Sequence, residues 1–423
     1  MGLLNDTSTY SPGAVSGLSY NNFTPASSTF PAVGGSYTDP VFGENITRLT
    51  SSSSLEDIYT FHYANCDGTR CFAQVNGTDF DIISLPDCTI FKTGQPDGGA
   101  TRTDCRWDMV NPDVYYFYTS SAIVARNVVS GTNTTTNVFP TVIQGNGGTQ
   151  NTQSSDGRYF FVRYGSAGHV WDSQNDTIYT GNVPIPDGTG YMGITPNAAY
   201  VWGASYNTNE VHSFAINHAT STVATTGVVF WKTPGDHGSC ISASDGKSYM
   251  LTADQIDVNI IAIEMGVDRS AFTDAQLSAD SIVFFPYNEA QESFHATGFS
   301  NGSLQDWGAV SINSGDDGTG GSETFGRAYM QEVIAINPIT GDFYRLAHHR
   351  CQVIVGSSEP RVSSSADGSV IMWWSNFNLT PAGTNGKLYA IFNPLDEFLG
   401  GEGGVLRETI VTFGGNRVTV RIT

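Results

Sequence analysis

The sequence Ser155-Asp156-Gly157-Arg158-Tyr159-Phe160-Phe161 decides the fold, because related sequences recur along the chain. Each copy combines a short strand, a turn with Asp-Gly or an equivalent pair, and an apolar strand, which is the pattern of a β-hairpin. The turn residues of the six copies are Asp67, Asp113, Asp156, Asn197, Asp245 and Asp367.

The spacing of these turns predicts the architecture. The first four intervals are 46, 43, 41 and 48 residues, and each fits one four-stranded blade. The last interval is 122 residues, which fits two blades with an insertion. The repeats therefore predict an all-β, seven-bladed β-propeller, in which each blade buries its faces against its neighbours.

The composition agrees with many short strands and narrows the choice of partners. Charged residues make up only 14% of the chain, which disfavours long surface helices. The formal net charge is -21, so nucleic acids and anionic membrane surfaces are poor partners. No stretch reaches the length of a transmembrane helix, and we predict no membrane insertion.

The chain divides into three segments by pattern. Residues 1–40 are rich in Ser, Thr, Gly and Pro and predict an extended N-terminal arm. Residues 41–398 form the propeller, with one short helix near residues 274–280. Residues 399–423 read as two strands around a glycine turn, which either close an early blade or pair with a neighbouring subunit. We favour closure of a blade.

Six cysteines and several glycosylation sequons indicate an extracellular protein. No cysteine spacing matches a zinc site, so we expect three disulfides, with 66–71, 88–105 and 240–351 as the preferred pairing. The export route is open because the N-terminus lacks a signal peptide: either a signal has been removed, or the protein leaves its cell another way, for example by lysis as part of a virion. The cysteines are Cys66, Cys71, Cys88, Cys105, Cys240 and Cys351, and the sequons begin at Asn5, Asn22, Asn45, Asn76, Asn133, Asn175, Asn301 and Asn378.

The repeat register also predicts where a ligand binds. The strand before each turn is the innermost strand of its blade, so residues five to eight positions before the turns gather at one mouth of the ring. Those with suitable chemistry are His62, Arg106, Gln150, Tyr191, His237 and Arg361. Blade six adds Arg327, Gln331, His348 and His349 by proximity in sequence. His212, His218 and His295 show no such context.

The turn motifs resemble those of a known group. The segments 236–246 and 359–376 look like blades of TolB-type propellers, most similar to secreted seven-bladed polysaccharide lyases of the oligogalacturonate-lyase and ulvan-lyase type. The resemblance covers roughly residues 40–395. One position departs from the group, since Arg361 stands where oligogalacturonate lyases often have histidine.

The resemblance implies β-elimination on a uronate-containing polysaccharide. In that interpretation a base removes the proton next to the uronate carboxylate, and a cation or arginine offsets the carboxylate charge. The implied catalytic residues are His237, Tyr191 and Arg361, and the implied substrate-binding residues are Arg106, Gln150 and Arg327. A divalent cation, Ca²⁺ or Mn²⁺, would be held by His62, Gln331, His348 and His349.

A second function stays open. The chain could be a non-catalytic extracellular propeller that binds glycans, adheres, or assembles into a larger particle through its terminal strands. The arm and the C-terminal strands favour this alternative, whereas the gathered His, Tyr and Arg residues favour the lyase.

Overall fold

The computed structural model is a ring of seven β-sheets with very little helix, and it confirms the predicted seven-bladed propeller. The structure describes residues 2–10, 31–51, 62–74, 79–96, 105–140, 143, 149–184, 191–205, 208–232, 237–254, 256–286, 292–314, 328–329, 331–351, 360–375, 387–395, 408–413 and 416–421.

Three strands precede the first half of the ring: β1 (Leu3–Leu4), β2 (Ser36–Thr38) and β3 (Asn45–Arg48). Blade one contains β4 (Arg70–Gln74), β5 (Asp79–Ser84) and β6 (Ile90–Pro96). Blade two contains β7 (Arg106–Trp107), β8 (Val114–Tyr118), β9 (Ala122–Asn127) and β10 (Asn133–Val138). Then come β11 (Thr149–Asn151), which pairs in parallel with blade four, and blade three with β12 (Tyr159–Tyr164), β13 (Ala167–Asp172), β14 (Thr177–Ile178) and β15 (Val183–Pro184).

The second half of the ring continues in chain order. Blade four contains β16 (Met192–Ile194), β17 (Tyr200–Ser205), β18 (Glu210–Asn217), β19 (Thr222–Val223) and β20 (Val228–Trp231). Blade five contains β21 (Ser239–Ser242), β22 (Ser248–Asp254), β23 (Asn259–Glu264), the helix α1 (Asp274–Ala279) and β24 (Ile282–Pro286). Blade six contains β25 (Glu292–Gly298), β26 (Gly308–Ser314), β27 (Glu332–Ile336) and β28 (Phe343–His348), and blade seven contains β29 (Ser363–Ser364), β30 (Val370–Ser375) and β31 (Lys387–Phe392). Two last strands follow, β32 (Glu408–Phe413) and β33 (Asn416–Arg421).

The recurring Asp-Gly sequence forms the same turn in each blade where it occurs. In blade three the Gly157 amide donates to the Ser154 carbonyl at 2.9 Å, and the Asp156 carboxylate accepts the amide of Arg158 at 3.0 Å. Gly157 has a φ of +73°, a left-handed conformation that glycine adopts without a Cβ clash. The same pair of hydrogen bonds recurs at residues 65–69, 195–199, 243–247 and 365–369. The sequence therefore repeats because each copy has to form this turn.

Large side chains fill the spaces between neighbouring blades. Phe72 of blade one stacks on Trp107 of blade two with ring centroids 4.6 Å apart. Other tryptophans are fully buried at equivalent interfaces, among them Trp171, Trp202 and Trp373. Aromatic residues bury large apolar areas at such contacts, so they supply much of the driving force for the ring.

The ring is closed by an N-terminal strand on the last blade. Strand β3 pairs antiparallel with β31, with Thr47 opposite Ala390, and β2 adds outside β3. Residues 36–38, which the sequence assigned to the arm, are thus a strand of blade seven. In the described part of the chain β32 and β33 pair with each other, and their completion of an early blade stays a prediction. Their pairing with another subunit stays a prediction.

The first residues of the chain dock on the outer edge of blade six. Strand β1 pairs with β28, and the guanidinium of buried Arg345 donates to the Asp6 carboxylate at 3.2 Å and to the Ser8 carbonyl at 2.6 Å. Arg345 also forms an ion pair with buried Glu332, with Nε 2.7 Å from Oε2. A buried ion pair needs such additional hydrogen bonds to offset its desolvation, and residues 6–8 provide them.

The predicted helix is present and short. Helix α1 begins after Thr273, whose hydroxyl accepts the amide of Gln276, while the Gln276 side chain accepts the amide of Thr273. This capping box satisfies amides at the helix start. In the part of the chain that the structure describes, no helix is long and apolar enough to cross a membrane.

None of the three predicted disulfides is formed in the part of the chain that the structure describes. Cys240 and Cys351 lie in different hydrophobic clusters, so the pairing 240–351 is wrong. The backbone of Cys71 pairs across the sheet with Ala64, and Cys66 is half-buried at the turn between them. Burial raises the pKa of the Cys71 and Cys240 thiols well above the ordinary value, so both stay protonated.

The closure of the ring predicts a large cost for a cavity at Ile46. Ile46 on β3 is fully buried and packs in one cluster with Tyr389 and Ile391 of β31. Replacing Ile46 by Ala should lower the free energy of unfolding by about 2–5 kcal/mol in urea titrations, because the lost contacts leave a cavity.

The same substitution at Ile90 is the matched control for Ile46→Ala. Ile90 on β6 is 63% exposed, so Ile90→Ala should stay within about 0.5 kcal/mol of the parent. Equal losses for the two variants would contradict the closure by β3.

Candidate functional site

Four side chains from four consecutive blades come together at the inner edge of the ring. We call Tyr191, His237, His295 and Arg361 the mouth cluster. The ring centroid of His237 lies 5.5 Å from that of Tyr191 and 4.4 Å from that of His295, and the charge of Arg361 acts on both imidazoles. Three of the four are residues predicted from the turn register.

The innermost strands place these side chains. Tyr191 directly precedes β16, His237 stands two residues before β21, and Arg361 stands two residues before β29. His295 lies within β25, and the carbonyl of His237 accepts the amide of the neighbouring Ala296 at 3.0 Å. His237 has a φ of +57°, an uncommon conformation for a residue with a Cβ, and such strain concentrates at functional sites.

The two imidazoles of the mouth cluster are neutral near pH 7. Burial, assisted by the charge of Arg361, lowers the pKa of His237 to about 4. Burial lowers the pKa of His295 well below its ordinary value, and His237 and Arg361 lower it further. A neutral imidazole has a lone pair, so this pair can accept a proton. His237 is half-buried whereas His295 is 5% exposed, so His237 is the more accessible base.

A second group of predicted residues lines a separate cavity between the innermost strands. The cavity has a volume of about 20 Å³, which is room for about one water molecule. His62 and Arg106 form part of its wall together with residues of blades two, three and six: Trp107, Met109, Thr152, Gln153 and Ser300. We call this space the axial cavity, because its walls come from several blades.

Hydrogen bonds hold His62 in the wall of the axial cavity. Its Nε2 lies 3.3 Å from the Ser300 hydroxyl, and its Nδ1 lies 3.4 Å from the Ser364 carbonyl. Burial lowers the pKa of His62 to about 4, and the Arg106 charge adds to the effect. His62 is therefore a neutral, hydrogen-bonded residue between blades.

The register prediction placed the two groups at one mouth, and the structure separates them along β25. His295 on this strand belongs to the mouth cluster, whereas Ser300 just beyond its end lines the axial cavity. Thr297 lies between them and contacts the Ser364 hydroxyl at 3.1 Å. A strand advances about 3.3 Å per residue. Residues that stand at slightly different distances in sequence from their turns therefore lie at different depths along the central channel.

Of the four residues proposed to hold a cation, Gln331, His348 and His349 lie together in blade six, where the His349 amide donates to the Gln331 carbonyl at 2.8 Å, whereas His62 lines the axial cavity. The structure corrects the prediction that His349 is a cation ligand, because both of its ring nitrogens form hydrogen bonds. Its Nε2 donates to the Ile312 carbonyl at 2.8 Å, and its Nδ1 accepts the amide of Cys351 at 3.0 Å. His348, at the end of strand β28, contacts the Asp39 carboxylate through Nδ1 at 3.2 Å. Gln331 is buried in the same blade, far along the chain from His62.

The described residues thus do not fit a bound metal ion. No group of three His, Cys, Asp or Glu side chains with metal-ligand geometry occurs in the ranges given above. Gln150 lies in β11, and its side chain is outside the described part of the structure. Arg327 lies outside the described residues altogether.

His295 is the site residue that the sequence interpretation missed. Blade six has no Asp-Gly turn after its innermost strand, and a short 3₁₀ turn at Gly302–Leu304 takes its place. The register count therefore skipped this blade. Alternation along Ser293-Phe294-His295-Ala296-Thr297 was the available signal, since His295 and Thr297 fall on one face of a strand.

Comparison with solved structures supports the fold. The chain is similar to an oligogalacturonate lyase from Vibrio parahaemolyticus, with 12% identity, 85% of this chain and 97% of that chain covered, and a TM-score of 0.52. It is also similar to an oligogalacturonate lyase in complex with manganese, with 13% identity, 85% and 96% coverage and a TM-score of 0.49. A further match is Kluyveromyces lactis Hsv2, with 12% identity, 73% and 88% coverage and a TM-score of 0.45.

The first of these matches confirms the seven-bladed TolB-like fold that the resemblance implied. At 12% identity the likeness concerns the fold alone. No protein-family model matches the chain, and no curated protein matches it.

The burial of His349 predicts a pH dependence of stability. Burial lowers the pKa of His349 to about 3, whereas the unfolded chain has the ordinary value near 6.5. The unfolded state therefore binds the proton first, and the contribution of His349 is complete above pH 6.5 and is lost as the pH falls toward 3. In His349→Gln the slope of the unfolding free energy below pH 6 should be shallower by up to about 1.4 kcal/mol per pH unit.

Urea titrations between pH 7 and pH 4.5 measure this slope. Glutamine retains a donor for the Ile312 carbonyl, so the variant is expected to fold. His212→Gln on β18 is the control, because the His212 side chain is 30% exposed. An unchanged slope in His349→Gln would show that His349 is not held neutral.

Proposed function

We propose that this protein is a polysaccharide lyase that cleaves a uronate-containing glycan by β-elimination at the mouth cluster. The observation that supports it most is the neutral, half-buried His237 between Tyr191 and His295 and within the field of Arg361. This set contains a base, an acid and a cation, which are the three groups that the reaction needs.

Each residue has a distinct role in the proposed reaction. Arg361 binds the uronate carboxylate by a charge-assisted pair, which stabilises the negative charge that develops when the adjacent carbon loses its proton. His237 accepts that proton, and the C–H electrons form the new double bond to the neighbouring carbon. The bond from that carbon to the glycosidic oxygen breaks, and Tyr191 donates a proton to the departing oxygen.

The environment of the mouth cluster keeps the proposed base in its unprotonated form before substrate binds. At neutral pH His237 is ready to accept a proton, because burial has already removed the proton that an exposed imidazole would partly carry. His295 packs against one side of the His237 ring and restricts its orientation. His295 is therefore a positioning residue in this proposal, and Arg361 and Tyr191 contact the substrate.

The proposed reaction has no step that involves a divalent cation. The second lyase structure is described as a complex with manganese, and the resemblance implied Ca²⁺ or Mn²⁺ for this chain. The nominated ligands His62, Gln331, His348 and His349 do not fit such an ion, as described above. We therefore vary the cation only as a condition of the assay.

The test is the ultraviolet absorbance of the unsaturated product during incubation with polygalacturonate or ulvan, with added Mn²⁺, added Ca²⁺ or a chelator. His237→Asn should lower kcat/KM by roughly 10²–10⁴-fold, because general-base catalysis contributes about that much. Asparagine tolerates the left-handed φ of +57° at this position, so the backbone is preserved.

His212→Asn is the matched control for His237→Asn, since it is the same substitution on the outer strand β18. No product from either polymer under any cation condition would overturn the lyase proposal. Binding of the polymer without product would favour the non-catalytic, glycan-binding alternative. An unchanged kcat/KM in His237→Asn would exclude His237 as the base.

We also propose that the protein acts outside the cell, where structural polysaccharides of this class occur. The sequons favour it, whereas no disulfide among the described residues adds support. Mass spectrometry of the protein from its natural source tests it, because glycan on any of the sequons requires passage through an oxidising, glycosylating compartment or its equivalent.

A further inference from the structure

We propose that the mouth cluster binds the carboxylate of a sugar acid together with one proton, which His237 takes up. The location and the class of ligand rest on the proposed function. The coupling between ligand and proton goes beyond it, because it concerns binding at equilibrium and requires no bond to break.

The geometry leaves His237 accessible on part of its surface only. Its ring is tilted by 56° to Tyr191 and by 36° to His295, and Phe294 lies edge-on with its centroid 6.4 Å away. His237 is half-buried, whereas His295 and Phe294 are buried. A ligand at the mouth therefore meets His237 and Tyr191 first, with His295 behind them.

Among the described residues, the titratable groups that face His237 come from three elements. Tyr191 faces it from the residue before β16, His295 from β25, and Arg361 from the segment before β29. The first two are uncharged at neutral pH, and Arg361 is positive. Arg361 is 5% exposed, so its charge is weakly screened by water. These groups together create a positive potential at the imidazole.

A positive potential has opposite effects on the two species that the site binds. It attracts an anion, and it lowers the pKa of His237, which the burial of the ring lowers further. When a carboxylate binds beside Arg361, its negative charge offsets the arginine and the imidazolium becomes stable. An opposite charge within about 4–6 Å raises the pKa of a histidine by roughly 1–3 units.

Thermodynamic reciprocity then fixes the sign of the pH dependence. If the bound anion favours the proton, the proton favours the anion by the same factor. A uronate carboxyl has a pKa near 3.5, so the ligand stays ionised at pH 5. From a pKa of about 4 in the unliganded site, a rise of one to two units gives an uptake of roughly 0.4–0.8 proton at pH 5.

A sugar acid fits this site better than a bare carboxylate. The half-buried Tyr191 offers both an aromatic face and a hydroxyl to the ligand, which suits a pyranose ring with its apolar face and its hydroxyl groups. Arg361 supplies the bidentate donors that a carboxylate accepts. Two contacts at a fixed separation select for a ligand that has both groups.

Isothermal titration calorimetry of the full chain with trigalacturonate at pH 5, in two buffers of different protonation enthalpy, measures the proton uptake directly. We expect an uptake of roughly 0.4–0.8 proton and an affinity roughly two- to tenfold higher at pH 5 than at pH 7. The methyl-esterified trimer, which has the same sugar rings but no carboxylate charge, should bind at least tenfold more weakly, with no uptake. Acetate should also bind at least tenfold more weakly.

Three variants assign the effect to residues. His237→Asn should keep binding but lose both the proton uptake and the pH dependence. Arg361→Gln should weaken binding of trigalacturonate at least tenfold, because the carboxylate loses its partner. His212→Asn should behave as the parent, and near-ultraviolet circular dichroism establishes that each variant is folded.

Several outcomes would overturn the proposal. They are the absence of binding at pH 5, binding without proton uptake, full uptake in His237→Asn, and equal affinity for acetate or for the methyl ester. Failure of the lyase reaction is distinguishable from all of these. Proton-coupled binding without unsaturated product refutes the reaction alone, and product formation without proton uptake refutes the coupling alone.

Discussion

The architecture depends on one repeated hydrogen-bonded turn. In five of the blades an Asp or Asn side chain accepts a backbone amide two residues later, while the residue after it donates to a carbonyl three residues earlier. This turn fixes the register between the innermost strand and the next one. Because side chains alternate along a strand, the register decides which residues face the centre of the ring and which pack between blades. The position of His237 and of Arg361 follows from it.

The mouth cluster combines features that would each be unfavourable alone. The buried guanidinium of Arg361, the half-buried imidazole of His237 and the buried imidazole of His295 would repel one another if all were charged, so the imidazoles stay neutral. The result is a site with one positive charge and two bases that are ready to accept a proton. The protein as a whole has a net charge of -21, so a locally positive mouth also directs an anionic ligand to this end of the ring.

The sequence predicted the features that repeat and missed those that do not. Blade number, turn positions and the grouping of Tyr191, His237 and Arg361 all follow from the Asp-Gly register. Counting from the repeated turns did not find His295, because blade six has a 3₁₀ turn instead of the repeated one. The cation ligands His348 and His349 were chosen by closeness in sequence, whereas they lie at the end of β28 and just after it, and the innermost strand of this blade is β25. The pairing of Cys240 with Cys351 failed for a related reason, since only the packing of the blades decides which interface a buried thiol occupies.

The closure of the ring by β3 and β31 also determines when the chain can finish folding. The Thr50 hydroxyl accepts the amide of Leu388, a contact that spans 338 residues. On a ribosome that adds about 5–20 residues per second, the strand made near the start waits on the order of 20–70 s for its partner. During that time the nascent protein exposes the apolar face of β3 and an incomplete ring. A chain that stops before residue 387 lacks β31, so β3 has no strand to pair with and the ring cannot close in this way.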